Sequence, residues 1–368
     1  MASPKKTQLV GLDIGSHSIK LVELDQNKRG RLLKSFGVIG LPPGAIVEGT
    51  IKEMEPISSA IKTLFSNLKV INPNVATSIS GYSVIAKRLS FSQRSEEEIA
   101  ATIREEAEQH IPFDINEVNL DFDILPDEED LPGDQPAESV LPEGDEEETR
   151  QTNIMLVAAR KDIVDDYVTL LQSSDLNPAV LDVDAFALQN AVELTAEDPR
   201  GCFVIVDVGA QKLGINAVKN GVSMFSRDSS YGGNRITEAI MSEFGVSFEE
   251  AEKIKLTPLE SGDKEEGLEK ILALEVSSWV REIGRALDFV GSTYSEEKIE
   301  KIILTGGSCK IPGFPQYLES ELDISVEELN PFKIVVAKGS LFDPDYLDYM
   351  APQAGVALGL ALRSIGDK

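Results

Sequence analysis

The sequence predicts an α/β fold made of two related halves, on three observations. Two stretches, Asp13-Ile14-Gly15-Ser16-His17-Ser18-Ile19-Lys20-Leu21 and Asp207-Val208-Gly209-Ala210-Gln211-Lys212-Leu213-Gly214-Ile215, align without a gap 194 positions apart, each behind an apolar run. Self-similarity at so long a period points to a duplicated domain, not to a solenoid. Apolar runs of strand length alternate with stretches of helical spacing along most of the chain, the pattern of an α/β protein. A third apolar run, Lys301 to Leu304, ends in Thr305-Gly306-Gly307-Ser308.

In chain order, Leu9 to Leu24 reads as a β-hairpin turning at Gly15-Ser16, and Leu41-Pro42-Pro43-Gly44 marks a turn. Ile57, Ile61, Leu64, Phe65 and Leu68 fall at helical spacing, and Val75 to Ile79 reads as a buried strand. The character changes at Ile85 to Phe91, a strand. Ser95 then starts a helix as N-cap, with Glu98 completing a capping box, and the helix must end near Ile111 because Pro112 follows. Asn119 to Leu125 and Asn153 to Ala159 read as strands on either side of an acidic, Pro/Gly-containing segment, Pro126 to Gln151. Low hydrophobicity and high charge mark that segment as a solvated loop. Helix Ile163 to Ser173, strand Ala179 to Val183 and helix Phe186 to Leu194 follow. Strand Cys202 to Val208 opens the second half, with Leu213 to Val218 and Val222 to Ser226 joined by an Asn220-Gly221 turn. Helices come next at Ile236 to Phe244, Phe248 to Ile254 and Leu268 to Tyr294, the last carrying the single tryptophan, Trp279, as a core residue. A small-residue helix closes the chain from Pro352 to Arg363.

Composition narrows the function. With 368 residues and 42% hydrophobic content the chain can bury a sizeable core in two or three domains. A net charge of −28 argues against non-specific nucleic-acid binding, which needs a basic face. Eleven acids and no Lys or Arg lie between Asp127 and Glu148. Cys202 and Cys309 stand far apart, outside any metal-ligand spacing, which suits a reducing compartment. No run of about 18 apolar residues occurs and no secretory signal is visible, so the expected location is the cytoplasm.

The two Asp-x-Gly hairpins carry the chemistry. Turn amides suit phosphate oxygens, and a carboxylate beside them suits a hydrated Mg²⁺. Facing across a cleft, the hairpins would grip the phosphates of a nucleotide from both sides, with Asp13 and Asp207 holding Mg²⁺ through water. The backbone at Gly306-Gly307, with no Cβ in the way, would pass close under a flat base.

This order of motifs resembles the phosphate-1, phosphate-2 and adenosine motifs of the actin-like ATPase superfamily. Within it, Glu105-Glu106-Ala107-Glu108-Gln109-His110-Ile111-Pro112-Phe113-Asp114, followed by Glu117-Val118 and Leu120-Asp121-Phe122, resembles the PilM family of type IV pilus assembly proteins, which is related to FtsA. The resemblance covers essentially the whole chain except the acidic segment. It implies an actin-like, ribonuclease H-like duplicated fold of two lobes around an ATP cleft. The first lobe would hold 1–84, 161–199 and 346–368, an inserted subdomain 85–160 with its acidic loop at 126–151, the second lobe 200–235 and 301–345, and a small subdomain 236–300. Gly15, Ser16, His17 and Lys20 would lie at the phosphates, Asp13 and Asp207 at Mg²⁺, Gly209 and Gln211 in the facing loop, and Gly232-Gly233 would close on the phosphates. Ala251-Glu252-Lys253-Ile254-Lys255 is similar to the A-E-x-x-K segment of bacterial actins, so Glu252 and Lys255 would meet the ribose and adenine. Gly306, Gly307, Ser308 and Lys310 would cradle the adenosine. A hydrolase also needs a group to orient water; Asp182 and Asp184 both fall near the place the superfamily uses, and the sequence does not choose between them, which points to weak hydrolysis at most.

By the same resemblance the chain would be a scaffold at the inner membrane in pilus assembly and twitching motility. It would bind the cytoplasmic N-terminal peptide of a PilN-like protein in a groove between the first lobe and the insert, near Glu105, Gln109, Ile111 and Phe113. Other pilus platform proteins, including the assembly ATPases, and further copies of the chain would be additional partners. FtsA-like proteins end in a basic amphipathic helix, whereas this chain ends Arg363-Ser-Ile-Gly-Asp-Lys368. Membrane association would therefore run through partners rather than by insertion. The competing readings are an FtsA-like filament-forming division protein and a sugar-kinase-type phosphotransferase, for which no catalytic aspartate motif is evident.

Overall fold

The computed structural model describes residues 8–27, 30–92, 94–126, 151–195, 201–257, 264–294 and 298–367. The acidic stretch 127–150 and the first seven residues lie outside the described residues. The chain divides into two compact units, Met1–Tyr82 with Asp165–Asp367, and Ser83–Val164.

The larger unit begins with a meander, β1 (Val10–Ile14), β2 (Ser18–Asn27) and β3 (Gly30–Gly40), then a two-strand ribbon, β4 (Ile46–Val47) and β5 (Thr50–Ile51), helix α1 (Met54–Leu68) and β6 (Asn74–Ile79). The smaller unit holds β7 (Val84–Ser92), α2 (Glu96–Ala107), β8 (Val118–Ile124) and β9 (Gln151–Arg160). Its three strands form one antiparallel sheet with β9 central. Ile99, Ile103 and Ala107 of α2 share a core with Leu89, Phe91, Ile154 and Leu156. The capping box is formed: the Ser95 amide donates to Glu98 Oε2 at 2.8 Å and the Glu98 amide to Ser95 Oγ at 3.3 Å. Ser95→Ala is expected to cost about 1 kcal/mol, read as a lowered thermal transition of the full chain. The helix ends at Ala107, earlier than expected, because the amides of His110 and Ile111 both turn back to the Ala107 carbonyl.

After α3 (Lys161–Ser173) come β10 (Asn177–Val183) and α4 (Asp184–Thr195), then a second meander, β11 (Cys202–Val208), β12 (Leu213–Lys219) and β13 (Val222–Ser229). Asn220 and Gly221 both have positive φ, the geometry that a two-residue hairpin loop requires. Helices α5 (Gly233–Phe244), α6 (Phe248–Leu256) and α7 (Glu265–Thr293) lead to β14 (Lys301–Thr305), α8 (Phe314–Leu322), β15 (Ser325–Glu328), α9 (Pro344–Met350) and α10 (Gly355–Ala361). The expected closing helix is shorter, because Ala351–Gln353 forms a separate 3-10 turn before α10.

The duplication is visible in the sheets. The first runs β10-β6-β1-β2-β3 and the second β15-β14-β11-β12-β13, each an antiparallel meander extended by two parallel strands. Lobe 1 and lobe 2 are these sheets with their helices. Strands β11 and β14 are almost wholly buried runs, as central strands covered on both faces should be. Trp279 of α7 is fully buried in lobe 2, edge-on to Phe314 at 5.4 Å. Helix α10, buried at every residue, and α4 contribute to a core shared by both sheets, in which Leu188, Val192, Val356 and Leu360 join Ala76, Ile205 and Ile303.

Candidate functional site

The two hairpins turn in the same register. In the first, the Gly15 amide donates to the Ser18 carbonyl at 3.2 Å; in the second, the Gly209 amide donates to the Lys212 carbonyl at 2.8 Å. Ile14 pairs with Ile19, and Val208 with Leu213. Apolar strands deliver both aspartates to the tips, and both tips open on one cavity of about 290 Å³, lined entirely by the larger unit.

Asp13 pairs with Lys20 at 3.2 Å across β1 and β2. The second hairpin has Gly214 where the first has Lys20, and carries its cation two residues earlier, at Lys212. That ammonium reaches Asp184 at 2.6 Å and Asp228 at 3.8 Å. Burial pushes the Asp13 carboxyl up, against the pull of Lys20, with Asp184 adding to the rise. Burial likewise pushes Asp207 up to about 6, opposed by Lys212 and reinforced by Asp184 and Asp13. Burial would also raise Asp184, but Lys212 and the hydroxyls of Ser78 and Ser80 outweigh it, so its carboxyl lies below the usual range. For Lys212 burial works downward, and Asp184, Asp228 and Asp207 overcome it, so the side chain is a firm cation.

Polar contacts cross the cleft. Gln211 accepts from the Glu48 amide at 2.9 Å and donates to the Ile46 carbonyl at 3.1 Å, tying the second hairpin to the β4–β5 ribbon of lobe 1. The Gly81 amide donates to Asp228 at 2.6 Å, and Ser230 donates to Glu48 at 3.1 Å. His17 is exposed, its ring 6.1 Å from that of Phe248 in lobe 2.

The structure brings Gly15, Ser16, His17, Lys20, Gly209, Gln211, Glu252, Lys255, Gly306, Gly307, Ser308 and Lys310 to the cavity with Asp13 and Asp207. Lys255 is buried, donating to Glu252 at 2.5 Å and to Thr237 at 2.9 Å. Ser308 donates to the Gly209 carbonyl at 3.0 Å, which fixes the Gly306-Gly307 turn against the second hairpin. Gly232 and Gly233 sit behind that hairpin: the Gly233 amide donates to Gly209 at 3.0 Å and the Asn234 amide to Ala210 at 2.7 Å, so the first amides of α5 are spent on the hairpin. Asn234 lines the cavity in their place, its Oδ1 buried and without a hydrogen-bond partner among the described residues. The Lys310 ammonium is likewise without one, and stands 3.4 Å above the Tyr349 ring.

Asp182 and Asp184 separate cleanly. Asp182 is buried away from the cavity and accepts from Arg363 at 2.6 Å, whereas Asp184 lines it. In the smaller unit, Glu105 and Gln109 are exposed, Ile111 is buried in that unit's core and Phe113 packs against the core. Sequence reasoning passed over Lys212, Asp228, Glu48 and Asn234. Lys212 stands inside the second hairpin, with Asp207 the one acid near it in sequence; its partners Asp184 and Asp228, like Glu48, reach the site only through long-range packing.

The residues suit a nucleotide: paired turn amides, Lys20, and two buried orphan polar atoms facing one cavity. No group of three or more His, Cys, Asp or Glu side chains among the described residues could hold a metal by itself. Asp13 and Asp207 carry hard oxygen donors of the kind that could hold Mg²⁺.

The family model described as type IV pilus assembly protein PilM matches residues 11–365. Among solved structures, the chain is similar to one titled PilM-PilN type IV pilus biogenesis complex, at 28% identity and TM-score 0.83, covering 98% of this chain and 100% of that one. It is also similar to the ethanolamine utilization protein EutJ from Carboxydothermus hydrogenoformans, at 14% identity and TM-score 0.57, covering 98% and 90%, a likeness of fold. The fold is actin-like. No helix among the described residues is long and apolar enough to cross a membrane.

Proposed function

The chain belongs to the type IV pilus assembly protein PilM family, and on that premise we propose that it is an ATP-binding scaffold of the pilus assembly platform. The observation that carries the nucleotide reading is the pair of equivalent hairpins closing in one register on a single cavity, with Lys20 beside Asp13. ATP would lie with its phosphates between the hairpins and its adenosine against Gly306, Gly307, Ser308 and Lys310, where Asn234 and Lys310 offer an acceptor and a donor. Asp13 and Asp207 would hold Mg²⁺ through water, and the ion would offset phosphate charge. Contacts such as Gln211 with Ile46 and Glu48 already join the lobes, so a ligand that binds one lobe arrangement better shifts the population toward it. That shift is how a scaffold would use ATP to exchange partners.

Titration calorimetry with Mg-ATP tests the site. The chain is expected to bind ATP, and Lys20→Ala to weaken binding about tenfold, the loss of roughly one charge-assisted hydrogen bond. A chain that binds neither ATP nor ADP would overturn the reading. The partner is the cytoplasmic N-terminal peptide of a PilN-like inner-membrane protein, a reading supported by family membership and by the similar complex. Through it the chain would sit peripherally on the cytoplasmic side. Fluorescence anisotropy with that labelled peptide is expected to give saturable binding, and a scrambled peptide none; equal binding of the two would count against the partner.

A further inference from the structure

Asp184 opens α4 at the end of β10 in lobe 1, and it is held from both lobes. Ser78, at the end of β6, donates to Asp184 Oδ1 at 2.6 Å. Lys212, on the second hairpin, donates to Oδ2 at 2.6 Å. Lys212 is placed in turn by Asp228 of β13 at 3.8 Å, and Asp228 accepts from the Gly81 amide of lobe 1 at 2.6 Å. The path from Ser78 through Asp184, Lys212 and Asp228 to Gly81 therefore crosses the cleft and returns. Asp184 is the carboxylate that could take a proton from an attacking water, and both of its oxygens are occupied.

We propose that Lys212 is a positioning residue that keeps Asp184 out of the chemistry, so that one ion pair across the cleft makes this chain a holder of nucleoside triphosphate rather than a hydrolase. The proposal rests on the nucleotide reading above. In the step that is restrained, a water oxygen bonds to the γ-phosphorus and the bond from that phosphorus to the β,γ-bridging oxygen breaks. Its electron pair leaves on ADP, and a water proton passes to the Asp184 carboxylate. An aspartate that already accepts a hydroxyl on one oxygen and an ammonium on the other is held in its charged form and is a weaker base toward that water. The same contact joins the lobes, so opening the cleft and freeing Asp184 are one event.

The experiment uses the full chain with Mg-ATP and reads binding by calorimetry and phosphate release at saturating ATP. General-base assistance is worth about 10²–10⁴ in rate, so Lys212→Met is expected to raise kcat at least tenfold while ATP still binds. Lys212→Gln should act in the same direction and carries the test if the methionine variant does not fold. Lys212→Arg, which keeps the ion pair, should stay slow, and Asp184→Asn added to Lys212→Met should return the rate to the slow level; a general loosening of the fold would produce neither result. Neutral variants that bind ATP and release phosphate no faster than the unaltered chain would overturn the proposal. An unaltered chain that binds no ATP would overturn the nucleotide reading and this inference with it.

Discussion

Exchanging Gly359 for alanine is expected to destabilise the larger unit by about 3 kcal/mol or more, at or beyond the upper end of what core overpacking costs. Helix α10 is buried at every position and lies against α4 and β1. A Cβ at Gly359 would overlap the carbonyl of Ala187 in α4. On the other side, a Cβ at Gly11 in β1 would overlap the Ala357 carbonyl of α10. These obstacles are backbone atoms of regular elements, which cannot swing away as a side-chain end can. The melting temperature should therefore fall by roughly 6–12 °C, at about 2–4 °C per kcal/mol for a domain of this order of size. Gly291→Ala in α7 is the control: nothing lies within 4 Å of its new Cβ, and helix propensity alone should add up to about 1 kcal/mol. A Gly359→Ala chain as stable as the parent would show that α4 and α10 can slide apart, and would remove the rigid seam from the account of the lobes.

That seam was only partly legible in the sequence. The small-residue run near the C-terminus announced a helix, but which glycine touches which carbonyl depends on a crossing between segments more than 170 positions apart. The hairpins were legible because their signals are local: an apolar run, an aspartate, a turn glycine, repeated without a gap. The edge elements were not. Strand β15 has only four residues and is largely exposed, so no apolar alternation marks it. Strand β3 carries a glycine at each end and one inside, and its pairing with β2 does the work that its own composition does not. Helices α8 and α9 are nine and seven residues long, too short for periodicity to speak. At the site, motif spacing picked out residues that come to line one cavity, Gly232 and Gly233 excepted, while the groups that hold them came only with the fold. Asp182 and Asp184 look equivalent in sequence, two positions apart at the same strand end. In the fold Arg363 claims the first, and Ser78 with Lys212 claims the second.

Replacing Asp207 with asparagine is expected to stabilise the ligand-free chain at pH 8 while weakening its hold on Mg-ATP about tenfold, the loss of one charge-assisted contact to the ion's water shell. Burial pushes the Asp207 carboxyl up to about 6, from an ordinary value of 3.8. The folded chain thus keeps this proton to higher pH than the unfolded chain does. Between about pH 4 and pH 6 the folded state binds more protons, so the contribution of this group to stability falls as pH rises and stays lost above about 6. The shift corresponds to roughly 1–3 kcal/mol once ionised. Asparagine removes a charge that the fold pays to bury, so the gain should be full at pH 8 and should fade toward pH 4, where the native carboxyl is already protonated. Thermal melting of the two chains across that range reads it directly, with Asp13 common to both. A gain that grows as pH falls would contradict the burial of Asp207. On the nucleotide reading proposed above, the stability lost with ionisation would be recovered on binding, and Asp207 would be retained at a cost to the empty protein because its charge would serve only when a cation arrives.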